Sequence, residues 1–410
     1  MDSGAMADGF CSELASMEPM VASVIQPVIQ LDHQATTPCD PAVVEAMAPW
    51  WTAQWANPAS RSHRPGLLAA AAVTRARERI AAALAVEPEA VVFTSGATEA
   101  NNLALKGLAE AELERGGSRR HLICLSTEHR AVLDPLRYLA RHGFELTELA
   151  VGSDGLVDLA QLEACLRPDT LLVSVMAANN EIGVLQPLAE IAALCRQRGI
   201  TLHSDGAQAL GHIPLQPAAL GLDLLSASAH KLYGPKGIGL LVVRPGLRLA
   251  PQLHGGGQEH GLRAGTLPVP LIVGMAAALE LALQDQQARA MRLAPLRDQL
   301  WRGLQALGGV QRNGAAAPRL PHNLNVTITG VEGNTLQRRL RETLAVSSGS
   351  ACSAGEPSHV LQALGLSRPQ AAASLRFGLG RHTTGAEIAA AIQAVATAVL
   401  ELRQGGPGGA

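Results

Sequence analysis

The sequence predicts an α/β protein with a mainly parallel sheet covered by helices on both faces, followed by a second, smaller domain. Three observations predict it. Short apolar runs alternate with amphipathic helical segments between about residues 90 and 243, the pattern of parallel strands buried on both sides. Small and polar residues follow these runs, where open α/β sheets gather their ligands. Beyond a helical region broken by prolines, an alternating strand and loops rich in Ser and Gly begin a different pattern.

Taken in order, residues 1–30 contain no Lys or Arg and several acids, and methionines at 6, 17 and 20 allow a later start. This stretch reads as a disordered extension, unlike a secretory or transit signal. Leu31 to Pro38 is a polar loop, and Asp40 as N-cap with Pro41 at the first helical position starts a helix through Met47. Arg75 to Ala85 is a second helix, and Ala90 to Phe93 a short strand. Thr94-Ser95-Gly96-Ala97-Thr98-Glu99 then opens a helix that runs to Leu108. Strand, small-residue turn and helix N-terminus together suit an anion, with Thr98 adding a hydroxyl. A plain strand-to-helix turn has the same pattern, and Glu99 would repel a phosphate. His121 to Leu125 is a strand, followed by Glu128-His129 and a helix from about Ala131. Thr170 to Met176 is a strand leading to Asn179-Asn180-Glu181. Pro187 to Arg198 is a helix with Leu188, Ile191, Leu194 and Cys195 on one face and Gly199 as its stop. Thr201 to Ser204 leads to Asp205-Gly206-Ala207-Gln208.

The densest chemistry lies in Leu222 to Gly239, read as two short buried strands joined by a tight loop that carries His230-Lys231. A partly desolvated lysine loses proton affinity and becomes the amine that Schiff-base chemistry requires. Ser228 and His230 can donate to an anion, and the glycines that follow allow the backbone to approach it. A hairpin with its lysine in water has the same pattern. A glycine-rich loop, His254 to Thr266, comes next, then a helical region from Leu267 to about Leu307 broken by Pro268, Pro270 and Pro295. Asn323 to Ile328 alternates as a half-exposed strand should. Cys352 stands among Ser, Gly and Ala, exposed and either incidental or reactive, unlike Cys195 on its apolar face. The end of the chain, 401–410, reads as a disordered tail.

Composition bounds the function. The 410 residues are 47% hydrophobic and 17% charged, with 2% aromatics and a net charge of −2. That suits a globular core of Ala, Leu and Val and gives no support to nucleic-acid or membrane-surface binding. No apolar run reaches membrane-spanning length. Six scattered cysteines without a Cys-x-x-Cys pair argue against a zinc site and a disulfide framework, so no metal and a reducing, cytoplasmic location are expected.

The segment Asp223 to Gly239 resembles the pyridoxal-phosphate attachment site of class V aminotransferases. Thr94 to Glu99, Glu128-His129, Asn179 to Gly183, Arg263 to Thr266 and Ser347 to Cys352 resemble cysteine desulfurases, most of all those supplying sulfur for iron–sulfur clusters and thio-modification. The resemblance covers roughly residues 30 to 400. It implies the fold type I of pyridoxal-phosphate transferases, with a large domain at 40–287 and a small α+β domain formed by 31–39 and 288–400. It implies pyridoxal 5'-phosphate held on Lys231, which would then serve as the base at the substrate Cα. Asp205 would pair with the ring nitrogen, Gln208 bond the ring oxygen, and His129 stack over the ring. Ala97, Thr98, Ser228 and His230 would hold the phosphate. Thr266 would reach the phosphate of a second subunit, implying a homodimer. Asn180 and Arg376 would position L-cysteine, Arg376 as a fork for its carboxylate. Cys352 would take the sulfur as a persulfide for an acceptor or iron–sulfur scaffold protein. The sequence departs from the family pattern at Ala177-Ala178 and Gly206-Ala207, in a short loop after Cys352 and in a brief tail. A cysteine, cystine or selenocysteine lyase, or an aminotransferase, would share the fold; a scaffold without turnover is the non-enzymatic alternative.

Overall fold

The structure, a computed structural model, describes residues 28–348 and 357–404. Cys352, with the rest of residues 349–356, lies outside the described residues.

The strands, in chain order, are β1 (Ile29–Gln30), β2 (Val91–Thr94), β3 (His121–Leu125), β4 (Glu145–Leu149), β5 (Thr170–Ser174) and β6 (Thr201–Asp205). They continue as β7 (Leu224–Ser228), β8 (Gly239–Val243), β9 (Val310–Arg312), β10 (Asn323–Ile328), β11 (Leu344–Ala345) and β12 (Ser374–Gly378). The helices that matter to the site and its support are α1 (Pro41–Met47), α2 (Arg64–Leu84), α3 (Ala97–Glu114), α4 (Arg130–Ala140), α5 (Leu188–Gln197), α6 (Val269–Gln284), α7 (Gln286–Gln305) and α8 (Gly385–Gln404).

Seven strands form the main sheet in the order β2-β8-β7-β6-β5-β3-β4. All neighbours are parallel except β8, which runs antiparallel to both β7 and β2. The sheet is mainly parallel, as expected, and β7 and β8 are the two buried strands read around His230-Lys231. Successive residues bury into opposite layers. Leu225, Leu240, Val242, Ile123 and Leu125 join the core beneath α2, α5 and α6; Leu224, Leu241, Leu122 and Cys124 join the core beneath α3 and α4. Both faces are covered, which is why these strands read as continuous apolar runs. With so few aromatics, alanine and glycine let helices approach closely: a Cβ on Gly274 of α6 would lie 2.5 Å from the sulfur of Met47 in α1.

A second sheet, β12-β10-β9, is antiparallel and carries its own core of Leu324, Val326, Ile328, Leu375, Phe377 and the inner faces of α7 and α8. Truncating one of these buried leucines to alanine costs about 2–5 kcal/mol.

Several details depart from expectation. β10 is buried along its whole length, where a half-exposed strand was expected. Its polar face packs against the main unit: Asn323 Nδ2 donates to Gln34 Oε1 at 2.6 Å and to Glu181 O at 3.0 Å. The α2 helix starts at Arg64, eleven residues before the expected Arg75, because Ala-rich sequence with Pro65 in the first turn continues the periodicity. The helical region after Leu267 divides at Asp285, while Pro295 sits inside α7. β1, within the expected disordered extension, pairs in parallel with β11. Residues 401–404, expected in a disordered tail, complete α8. α8 is also long and apolar enough by composition to cross a membrane, against the expectation that no run would be. Its Ile388, Ala391, Val395 and Val399 are buried in the core of the second sheet, so it is the amphipathic cover of that sheet.

Candidate active site

Four of the parallel strands end on one side of the sheet at a cleft of roughly 490 Å³. β6 ends in Asp205 and β7 in Ser228; the turns after β3 and β5 bring His129 and Asn180. Lys231 follows β7 by one short helical turn, and Ala97 and Thr98 open α3 after β2. From the second sheet β12 sends in Arg376. Gln208 and His230 also line the cleft. Sequence reasoning therefore placed Ala97, Thr98, His129, Asn180, Asp205, Gln208, Ser228, His230, Lys231 and Arg376 on residues that the fold brings together. Thr266 is exposed on the glycine-rich loop and does not line this cleft, and Cys352 lies outside the described residues.

Lys231 Nζ donates to the carbonyls of Gln34 and Ala35 at 2.7 and 2.8 Å, so the amine is held toward the cleft by the first loop of the chain. Gln208 Nε2 donates to the same Gln34 carbonyl at 3.0 Å. Asp205 is nearly buried; its Oδ2 accepts from Asn101 Nδ2 at 2.8 Å and its Oδ1 from Ala207 N at 2.9 Å. Beneath it His203 spans two hydroxyls, Ser174 Oγ at 2.8 Å and Ser226 Oγ at 3.0 Å, and burial pushes it down to about 4, so it is neutral at pH 7.

The start of α3 is built for an anion. Gly96 caps it with φ 156 and no side-chain cap, which leaves the first N–H groups of the helix facing outward. A Cβ on Gly239, at the start of β8, would come within 2.6 Å of Gly96 Cα. Glu99, which the sequence sets against an anion, is turned aside. Its Oε2 accepts from Ser95 N at 2.7 Å and its Oε1 from Arg263 Nε at 2.8 Å. Burial pushes its carboxyl upward, but the bonds from Arg263 and Ser95 outweigh that and hold it below its usual range. Burial pushes His230 down to about 4, helped by Lys231 and Lys236; its Nδ1 lies 3.1 Å from Thr36 Oγ1.

His129 is the N-cap of α4, and its Nδ1 accepts from Ala131 N at 3.1 Å. Burial lowers its proton affinity while Asp205 raises it and Lys231 lowers it further. In the neutral ring the proton therefore sits on Nε2. Arg376 is 2% exposed, gives Nη1 to Asn180 O at 3.0 Å and Nη2 to Asp32 Oδ1 at 2.9 Å and Ser347 Oγ at 3.0 Å. Its Nε and Asn180 Oδ1 are buried without a hydrogen-bond partner among the described residues. An anionic group suits the guanidinium, and a donor suits the Asn180 side-chain carbonyl oxygen.

Sequence reasoning missed Gln34, Asn101, Asp32 and the Glu99–Arg263 pair. Gln34 and Asp32 sit in a short loop whose sequence signals only a turn. Asn101 reads as an ordinary residue of the first turns of a helix. A second hollow of about 610 Å³ around Cys195, Thr201 and Arg244 lies at the other ends of the strands and includes none of the expected site residues.

Comparisons with known proteins agree with this architecture. The family model for aminotransferase class-V matches residues 29–390. A cysteine desulfurase IscS of Vibrio campbellii is 50% identical over 385 residues, which is 92% of this chain and 94% of that protein. A cysteine desulfurase IscS of Dechloromonas aromatica is 48% identical over 383 residues, with the same coverage. Among solved structures, a NifS-like protein superposes with a TM-score of 0.86 at 36% identity, over 92% of this chain and all of its own. SspA in complex with cysteine gives a TM-score of 0.76 at 37% identity, over 87% of this chain and all of its own.

Proposed function

The chain belongs to the aminotransferase class-V family and is a cysteine desulfurase, and we propose that it uses pyridoxal 5'-phosphate to convert L-cysteine to L-alanine, with the sulfur leaving as a persulfide on Cys352. The observation that carries this reading is that Lys231, Asp205, the open N-terminus of α3 and Arg376, far apart in sequence, line one cleft. The donor set suits the cofactor: an amine, a carboxylate for a ring nitrogen, and outward N–H groups for a phosphate. When bound, the cofactor supplies an electron sink for negative charge at the substrate Cα.

The chain's own residues do the rest. Lys231 would anchor the cofactor and serve as the base for the Cα proton of the substrate; the Gln34 and Ala35 carbonyls hold its Nζ in the cleft. The carboxylate of Asp205, oriented by Asn101 and Ala207, keeps a ring nitrogen protonated. Gln208 would bond the ring oxygen and His129 would cover the ring. Ala97 N–H, Thr98, Ser228 and His230 hold the phosphate. Arg376 and Asn180 hold the substrate carboxylate, with Asp32 and Ser347 fixing the guanidinium. The Cys352 thiolate attacks the substrate sulfur, a new S–S bond forms, and the C–S bond breaks with its electron pair left on the carbon that becomes the alanine methyl.

Lys231 and Arg376 come from opposite sides of a division into a large domain, 40–287, and a small one, 31–39 with 288–400. Thr266 completes the phosphate site of a second subunit, and the persulfide passes to an acceptor or scaffold protein of iron–sulfur assembly or thio-modification. Cys39, Cys124, Cys165 and Cys195 are all free thiols, which suits a reducing cytoplasm.

The test is borohydride reduction of the purified protein followed by peptide mapping. The chain has only three lysines, Lys106, Lys231 and Lys236, so the label is easily assigned. It should appear on Lys231; a label on either of the others would overturn the site.

A further inference from the structure

We propose that His212 is a positioning residue for Lys231, kept in place by the adjacent ring of His322. This rests on Lys231 being the lysine that holds the cofactor. His212 Nε2 lies 2.9 Å from the carbonyl oxygen of Lys231. A carbonyl only accepts, so Nε2 carries the proton and donates it. The two imidazole rings, His212 and His322, have centroids 4.3 Å apart and are tilted by 32°. His322 belongs to the second sheet's side of the molecule, immediately before β10, and its Nδ1 is buried without a hydrogen-bond partner among the described residues.

The turn that carries His212 is gripped from behind by α7. Arg289 donates through Nη2 to Gly211 O and, at 3.1 Å, to Ala282 O, and Gln286 Nε2 donates to Ile213 O at 2.9 Å. Gly211 has φ 76, and a Cβ there would lie 2.9 Å from Ala282 Cβ, so the turn has little room to shift. The Lys231 backbone is thus tied through one side chain to a rigid turn, while its Nζ is tied to the loop at Gln34 and Ala35. Two anchors on opposite ends of one lysine fix where the amine stands. Burial pushes His212 down to about 4 and His322 well below its ordinary value, so both rings are neutral at pH 7 and the donor at Nε2 is permanent. Misplacing a reacting group by about 1 Å costs roughly a hundredfold in rate, so loss of this anchor acts on turnover.

The experiment compares His212→Leu and His212→Gln with the parent holoenzyme. Glutamine retains an N–H that can reach the same carbonyl; leucine does not. For His212→Leu we expect kcat to fall about ten- to a hundredfold, KM for cysteine to stay within about twofold, and borohydride labelling of Lys231 to slow. His212→Gln should recover most of both. Equal impairment of the two variants, or a His212→Leu protein with parental kcat and labelling, would overturn the proposal. Should His212→Leu fail to fold, His322→Phe keeps a ring beside His212 but removes the polar edge. It should retain turnover near the parent, with His322→Ala severalfold lower, and equal turnover of those two variants would likewise overturn it. A borohydride label on a lysine other than Lys231 in the parent would instead defeat the reading of the site itself.

Discussion

At His129 the backbone sets the chemistry of the ring. Because Nδ1 caps α4, a neutral His129 offers an N–H at Nε2 and takes a second proton only against burial. It is therefore first a donor. Transfer of a proton from Cys352 to His129, rather than to another acceptor, requires the ring to become an imidazolium beside Asp205, the group that raises its proton affinity. An unperturbed cysteine is only a few per cent ionised at neutral pH, so the thiolate must be generated when substrate is bound. Cys352→Ser should keep the cofactor absorbance and its shift on adding cysteine, since those steps use Lys231 and Arg376, yet lose sulfide production by several orders of magnitude. Near-parental sulfide release from that variant would move the enzyme into the cysteine lyase class. Arg376 offers a second check at this scale. Both its terminal nitrogens are engaged with Asn180, Asp32 and Ser347, a fork that lysine cannot reproduce. Arg376→Lys should lower kcat/KM for cysteine at least a hundredfold while leaving the cofactor bound; a loss under tenfold would remove Arg376 from the substrate site.

At the scale of elements, the site is made where strands stop. Most strands of the main sheet were legible because they are short, largely apolar runs that end in small, polar turns; the edge strand β4, Glu-Leu-Thr-Glu-Leu and buried only at Leu149, carries no such signal and was missed. What the sequence hid depends on contacts between distant segments. β10 alternates Asn-Leu-Asn-Val-Thr-Ile, which reads as one wet face, yet Asn323 and Asn325 both donate to Glu181 O across the junction, at 3.0 and 3.2 Å. Hydrogen bonding, not water, satisfies that face, and periodicity alone cannot distinguish the two. Gln34 was invisible for the same reason: it acts on Lys231 and Gln208 through its backbone carbonyl, which any residue would supply. Gly239 tests how tightly the elements are fitted. A Cβ there would stand 2.5 Å from Ala227 O and 2.6 Å from Gly96 Cα, both backbone atoms of the site's own strands and turn. Gly239→Ala should cost about 1–3 kcal/mol of stability, as overpacking does, and weaken cofactor retention because Gly96 must move. An unchanged cofactor affinity, measured by dialysis and absorbance, would show that the turn yields without cost.

For the molecule as a whole, acid sensitivity follows from the buried imidazoles. His203, His212 and His230 are each lowered from 6.5 to about 4, so the folded chain binds fewer protons than the unfolded chain between those values. Stability must then rise with pH through that window and level off above it. Urea midpoints of the apoprotein should be level near pH 7 and fall from about pH 6.5 down to pH 4.5; a flat profile across that window would contradict the burial of these rings.

Assembly is the remaining whole-molecule question, and it bears on whether one chain holds a complete site. Thr266 is exposed and absent from the walls of its own cleft. Val44, Trp51, Trp55, Leu67 and Leu68 are also exposed, with Trp55 at 76%, and they come from one stretch of chain around α1 and the start of α2. Large apolar side chains left exposed along one stretch of chain suit an association surface. Both features suit a homodimer in which each chain lends Thr266 to its neighbour's phosphate. The two roles can be separated genetically. A Thr266→Ala chain keeps its own Lys231, and a Lys231→Ala chain keeps its own Thr266. In a mixed dimer, the site with an intact lysine receives its threonine from the lysine-less partner. Each homodimer alone should be weak or inactive, and refolding them together at equal amounts should restore activity, because about half the dimers formed are mixed and each holds one complete site. Light scattering that finds a fully active monomer, or a mixture no more active than its Thr266→Ala component, would show that Thr266 serves no neighbouring site.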